Sequence, residues 1–267
     1  MRLVSLNAWG GQVWPALGDW AAGIGADILC LQEVTRAPVP SPDTLRYADA
    51  FRDLSQRADL LADISKRLPG FQPFFAPAAR GTMDDARGRA VPSEHGIAFW
   101  LRRDLALVEL YQGFVHGRFR GDGWGAEPVP RAIQVARVST GPATFQVAHL
   151  HGLRDPAGKH DTAARAAQAE AIAEAITRLR REGEPLILAG DLNLLPDSAT
   201  FPRLADIGLT DLVTTRGFTD TRTTLYQKPQ RYADYLLVSP EVRVRAFDLP
   251  AQPEVSDHRP LVLDFDL

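Results

Sequence analysis

Pro185-Leu186-Ile187-Leu188-Ala189-Gly190-Asp191-Leu192-Asn193 is the most informative segment of this chain. Four apolar residues in a row, closed by glycine, mark a short strand buried on both faces. A carboxylate and an amide follow, two residues apart, and a period of two puts them on the same side of the chain. Such a strand carries polar side chains to the edge of a buried sheet.

The same pattern recurs on either side of it. Residues 3–6, 28–31, 97–101, 133–138, 145–150, 186–189, 235–238 and 260–265 are short apolar runs bounded by Gly, Pro, Asp or Asn, the signature of strands. Residues 13–24, 44–68 and 162–181 read as helices. The last is Ala-rich, and Asp161 and Thr162 supply N-cap chemistry for it. Residues 80–93 and 113–130 read as long surface loops. Helices fall between strands in both halves, which predicts an α/β fold of two face-to-face sheets flanked by helices, one domain over 1–267.

Bulk composition excludes more than it identifies. An apolar content of 45% and a charged content of 24% over 267 residues are those of a globular chain. A chain of this length buries roughly three quarters of its unfolded surface and needs no staples. Cys30 is the single cysteine, so no internal disulfide forms, which fits a reducing cytoplasm; inside its apolar run it reads as a small core residue. A net charge of −3 gives no general attraction to nucleic acid or anionic membrane. No apolar stretch approaches the ~20 residues that span a bilayer, and Arg2-Leu3-Val4-Ser5-Leu6-Asn7 is too short for a signal-peptide core. The expectation is a soluble cytoplasmic protein without membrane insertion. The sequence names no protein partner.

Glu33 ends the apolar run Asp27-Ile28-Leu29-Cys30-Leu31-Gln32-Glu33, and Asn7 closes the first strand in the same way. A carboxylate closing a buried strand is costly unless it is paired, hydrogen-bonded or metal-bound. Together Glu33 and Asn7 offer Mg²⁺ a carboxylate and an amide carbonyl, the few-ligand coordination that ion prefers. Asp191 is placed to orient or deprotonate a water that Asn193 holds. Asp257 and His258 are adjacent at a strand entry and so point apart. His258 would donate to a phosphoryl oxygen if a carboxylate held it cationic, and Asp234 is the candidate for that carboxylate. His149 and His151 share one strand face, an arrangement that also permits a two-histidine transition-metal site. The other candidates are nearly all oxygen donors suited to a hard cation. The set points to phosphoester hydrolysis.

In order along the chain, Asn7, Glu33, His149, Asp191-x-Asn193, Asp234 and Ser256-Asp257-His258 resemble the endonuclease/exonuclease/phosphatase superfamily, the DNase I-like enzymes. The resemblance spans nearly the whole chain. It implies a four-layer α/β/β/α sandwich, two mainly antiparallel sheets flanked by helices, and phosphoester hydrolysis with one or two Mg²⁺ (or Mn²⁺) ions. By that likeness Glu33 is the principal metal ligand, with Asn7 and Asp257 near the metal. Asp191 resembles the residue that activates the attacking water, Asn193 the one that positions it, and His258, oriented by Asp234, the phosphate-binding histidine. His149 aligns with the histidine of the family's Asn-Thr-His-Leu; Val147 replaces the Asn, and His151 is an extra polar group beside it. Trp9 stands where several nuclease members carry an acid, a departure from the abasic-site nucleases. It is a candidate to stack on a base or ring, or to pack in the site wall.

The superfamily cuts DNA, RNA, phosphoinositides, sphingomyelin and small nucleotides. Arg80, Arg87, Arg89, Arg118, Arg120, Arg131, Arg154 and Arg222, in expected loops or strand ends, make nucleic acid or a nucleotide the leading substrate class. A small phosphorylated metabolite or lipid headgroup comes second. An inactive binding module comes third, because the residues that define the metal and water sites are all present.

Overall fold

A computed structural model describes residues 1–48, 53–125 and 128–267. The first half runs β1 (Arg2–Asn7), a 3-10 turn (Trp9–Gly11), α1 (Ala16–Gly23), β2 (Ile28–Arg36), β3 (Thr44–Ala48), β4 (Asp53–Arg57) and α2 (Leu60–Arg67). A run of strands follows: β5 (Phe71–Asp84), β6 (Ala90–Arg102), β7 (Ala106–His116), β8 (Arg131–Ser139) and β9 (Thr144–His151). Next come α3 (Ala163–Leu179), β10 (Leu186–Asp191), α4 (Thr200–Ala205), β11 (Thr210–Asp211) and α5 (Leu212–Thr215). The chain closes with β12 (Asp234–Val238), β13 (Arg243–Asp248) and β14 (Leu261–Asp266).

Among the described residues the strands form two mixed sheets, ordered β13-β14-β1-β2-β6-β5-β3-β4 and β11-β12-β10-β9-β8-β7. Strand alternation explains how they stack. Leu3, Ile28, Cys30, Phe99 and Leu101 face the core between the sheets, with Ile133, Val135 and Phe145 of the second sheet. Their neighbours Val4, Leu29, Leu31 and Trp100 face outward, against Leu17 and Trp20 of α1 and Leu60 and Ile64 of α2. Both faces of these strands are buried, which is why they read as unbroken apolar runs. On the far side α3 covers the second sheet with Ile172 and Ile176, and Gln146 donates to the Ile176 carbonyl at 2.9 Å. The layers are α/β/β/α.

Each sheet contains one parallel pair, β1 with β2 and β9 with β10. Parallel neighbours end at the same edge, so Asn7 and Glu33 emerge together from one sheet, and His151 and Asp191 from the other. β12 runs antiparallel to β10, with Asp234 opposite Asp191, and β14 runs antiparallel to β1, with Leu261 opposite Ser5. The start of β12 and the approach to β14 therefore reach that same edge. Topology alone gathers the polar strand ends at one end of the sandwich.

Two local expectations are corrected. Residues 44–68 are not one helix: they form the β3–β4 hairpin and then α2, and 49–52 lie outside the described residues. Leu45 alternates with exposed neighbours and packs on Ala58 and Met83, a strand's burial pattern. Only from Leu60 does the apolar spacing become helical, and the Asp59 side chain caps that start by accepting from the Ala62 amide at 2.9 Å. Residues 80–93 are not a loop but the outer arms of a long hairpin, β5 paired with β6 out to Asp84 and Ala90. Among the described residues no helix is long and apolar enough to cross a membrane.

Candidate active site

The gathered strand ends border a cavity of about 580 Å³. Glu33 reaches it by a local irregularity. Strand alternation would put Gln32 toward the second sheet and Glu33 toward the helices. The β2–β6 register slips between Leu31 and Val34, and Glu33 adopts φ +54°, which swings its carboxylate to the cavity. Trp9 (φ +50°) and Asn193 (φ +55°) are the other non-glycine residues with positive φ among those described, and both line the same cavity. Such conformations cost on the order of 1–3 kcal/mol each and persist where the surroundings enforce them.

Asn7 binds the two acidic strand ends together. Its Nδ2 donates to Glu33 Oε1 at 3.1 Å and to Asp191 Oδ2 at 3.0 Å, while its Oδ1 accepts from the Trp9 amide at 3.0 Å. The amide carbonyl expected to face a metal is thus engaged by backbone, and the NH₂ faces the acids. Burial opposes ionisation of Glu33, yet the His151 and His95 imidazoles and the bond from Asn7 hold its carboxyl down at about 2. Burial likewise opposes ionisation of Asp191, but the charges of His258, Arg222 and Lys159 hold it below the usual carboxylate range. Asp191 Oδ1 accepts from the Asn193 amide at 3.0 Å, and the amides of Leu192 and Asn193 both donate to the Ala233 carbonyl. The Asp-x-Asn turn is fixed from both sides.

His258 is held at its back. Its Nδ1 lies 2.8 Å from both oxygens of Asp234, and Asp234 Oδ2 also accepts from Thr221 Oγ1 at 2.8 Å. Its Nε2 lies 3.7 Å from Asp191 Oδ2 and 3.7 Å from Asp257 Oδ1. Burial disfavours the imidazolium, but Asp234 outweighs it and raises His258 above the ordinary imidazole range. Ser256 Oγ anchors the closing motif by donating to the Asn7 carbonyl at 2.6 Å and accepting from the His258 amide at 3.2 Å. Burial pushes Asp257 up, and its Oδ1 has no hydrogen-bond partner.

The two candidate histidines of β9 separate. His151 lines the cavity, with Nε2 3.7 Å from Asp191 Oδ2, and Arg131 Nη1 approaches its Nδ1 and Nε2 at 3.1 and 3.2 Å. Burial and that guanidinium push His151 down to about 3, so it is neutral at physiological pH. His149 lies one step deeper, between the sheets and away from the cavity lining. Gln32 Nε2 bonds its Nδ1 at 3.2 Å and Ser5 Oγ at 3.2 Å, and burial alone pushes it down to about 3. Of the two, His151 is the one that borders the cavity and Asp191.

Among the expected arginines, Arg131, Arg154 and Arg222 line the cavity, whereas Arg80, Arg87, Arg89, Arg118 and Arg120 do not; Arg80 is paired with buried Glu94. Lys159, His95 and Tyr226 line it too and were not singled out in the sequence. No periodicity marks Lys159 or Tyr226, because both lie on loops. Gln32 had one legible signal, its place beside Glu33 at the end of an apolar run.

A family model described as the Endonuclease/Exonuclease/phosphatase family matches residues 4–258. The chain belongs to that family. Uncharacterized protein YbhP of Escherichia coli (strain K12) is 27% identical over 261 residues, covering 96% of this chain and 89% of YbhP. The fold is also that of Bacteroides thetaiotaomicron mannosyl-6-phosphatase, at a TM-score of 0.69 and 18% identity over 100% of both chains. The human Nocturnin catalytic domain with bound sulfate superimposes at a TM-score of 0.66 and 20% identity, over 100% of this chain and 93% of that one. This member of the endonuclease/exonuclease/phosphatase family is an enzyme that hydrolyses phosphoric esters.

Proposed function

We propose that this chain hydrolyses its phosphoester with the help of a divalent cation, Mg²⁺ or Mn²⁺, as one or two ions, and that 1–267 acts as a single catalytic domain. The observation that carries the reading is the convergence of Glu33, Asp191, Asp257 and His258 on one cavity. The donor set fits a hard cation: Glu33 is ionised and borders the cavity, and Asp257 Oδ1 is buried without a partner. Asp191, Asp234 and His258 also have ligand atoms within 4.8 Å of one another. There, however, the His258 Nδ1 proton already binds both Asp234 oxygens. Glu33 and Asp257 are therefore the residues that would hold the ion, with Asn7 fixing Glu33. A cation held there would supply Lewis-acid polarisation of a phosphoryl oxygen and charge neutralisation at the leaving oxygen.

The chain's own groups do the rest. Asp191, ionised at neutral pH, orients the attacking water and takes its proton as the new P–O bond forms. Asn193, locked in its turn, positions that water. His258, backed by Asp234, gives its Nε2 proton as a hydrogen bond to a phosphoryl oxygen as charge grows there. His151 lies beside Asp191 as a neutral imidazole, and Arg131 holds it so. Trp9 forms the adjacent wall.

A cavity of about 580 Å³ is in the range of small-molecule sites, roughly 300–1,000 Å³. That supports a nucleotide or a nucleic-acid end as substrate, with a small phosphorylated metabolite second. The test is turnover of plasmid DNA, single-stranded DNA, RNA, nucleotides, sugar phosphates and sphingomyelin with Mg²⁺, Mn²⁺ or EDTA, beside Asp191→Ala. Turnover that is abolished by both EDTA and the mutation is the expected result. Turnover that survives EDTA overturns the metal reading, and less than about threefold loss in Asp191→Ala overturns the role of Asp191.

A further inference from the structure

Arg222 is almost wholly buried, and its Nη1 donates to Asp257 Oδ2 at 3.0 Å while lying against His258 Nε2. Its Nε has no hydrogen-bond partner. A guanidinium carries donors only. A buried donor without a partner is satisfied by an oxyanion brought against it. The Tyr226 ring packs 4.0 Å from the guanidinium carbon and holds it in place.

Lys159, on the loop between β9 and α3, lines the same cavity. Its Nζ donates to the Tyr232 carbonyl, which leaves two ammonium protons for other acceptors. It is close enough to Asp191 and Arg222 for their charges to act on it. Burial pushes it down to about 8, so it still carries its charge at neutral pH. Arg131, Arg154, Lys159, Arg165, Arg222 and Lys228 line the cavity against four carboxylates, in a protein whose net charge is −3. The excess of positive charge is local.

A phosphodiester presents two terminal oxygens and one negative charge. A terminal phosphoryl group presents three oxygens and, near neutral pH, close to two charges. Two further cations in the cavity that His258 lines exceed the need of a diester and match the third oxygen of a monoester. Resting on the phosphoester reading above, we propose that Lys159 and Arg222 grip that third oxygen and make this site selective for phosphomonoesters over phosphodiesters.

The test compares p-nitrophenyl phosphate with bis-p-nitrophenyl phosphate, with Mg²⁺, for wild type, Lys159→Met and Lys159→Arg. Lys159→Met should lower kcat/KM for the monoester about tenfold or more, the scale of one charge-assisted hydrogen bond, and for the diester by less than about threefold. Lys159→Arg, which keeps the charge, should lose less on the monoester than Lys159→Met does. Calorimetric titration supplies a readout without turnover: the Kd of inorganic phosphate should rise about tenfold in Lys159→Met, with that of dimethyl phosphate unmoved. Equal losses on both esters, or an unchanged phosphate Kd in a variant that melts like wild type, overturns the proposal. If wild type turns over neither ester, the phosphate titration decides this proposal, and the substrate panel above decides the reading it rests on.

Discussion

His149 and His151 lie on the same face of β9, two residues apart, equally buried and both held neutral, yet they belong to different parts of the molecule. His149 joins Gln32 and Ser5 in a polar layer between the sheets. His151 stands at the strand end, between Arg131 and Asp191, and borders the cavity. One strand step, roughly 7 Å along the chain, separates a residue between the sheets from one that borders the cavity. Burial and titration alone do not distinguish them; their neighbours do.

The largest expected effect lies on the cavity side. Asp191→Asn should lower kcat by about 10²–10³-fold, the range for loss of a group that accepts a proton or stabilises charge in the transition state. Its melting temperature should stay near wild type, and a loss of stability in proportion to the loss of rate would assign Asp191 to the scaffold instead. Next comes the direct contrast between the two histidines. His151→Gln should lower kcat/KM roughly tenfold or more, and His149→Gln by no more than about threefold, read on the same ester. The reverse order would return the catalytic histidine to position 149.

The interior layer should answer in stability. An imidazole such as His149 titrates near 6.5 when exposed and at about 3 in the fold. Between those values the unfolded chain binds the extra proton, so stability falls as pH drops from 6.5 toward 3. At pH 5 the loss is about 2 kcal/mol for this residue. Urea unfolding of His149→Gln should therefore show a change between pH 7 and pH 5 smaller than wild type by about that amount; parallel curves would mean His149 is not the buried neutral group described. The smallest effect is that of Gln32→Leu, which removes the partner of His149 Nδ1. It should lower stability by about 1–3 kcal/mol, the penalty of leaving a buried polar atom unmet, with kcat within about threefold.

Different parts of the chain were legible to different degrees. The two-sided strands read clearly because every residue in them is apolar, and Asp191, Asn193 and His258 could be seen because each abuts such a run. The hairpin at 44–57 was hidden, because its strands at the sheet edge alternate polar and apolar residues sparsely enough to imitate a helix running into α2. The outer arms of β5 and β6 were hidden for a related reason: Gly81 and Pro92 mark breaks in a sequence, whereas here Gly81 pairs with Ser93 and Pro92 with Thr82 in a hairpin. At the site, Glu33 was found by its position and not by its geometry, since strand parity alone would have turned it away from the cavity.

The buried central strands, the sandwich class and the family were legible in the sequence alone, because apolar runs and the short motifs that follow them are local and survive without knowledge of their neighbours. Only the tertiary structure decided that Glu33 turns inward through a slipped register, that His151 rather than His149 borders Asp191, and that Lys159 and Arg222 join the same cavity. Those facts depend on which strand ends meet and on how far along each strand the cavity begins. Such relations link residues tens of positions or more apart, and no local pattern carries them.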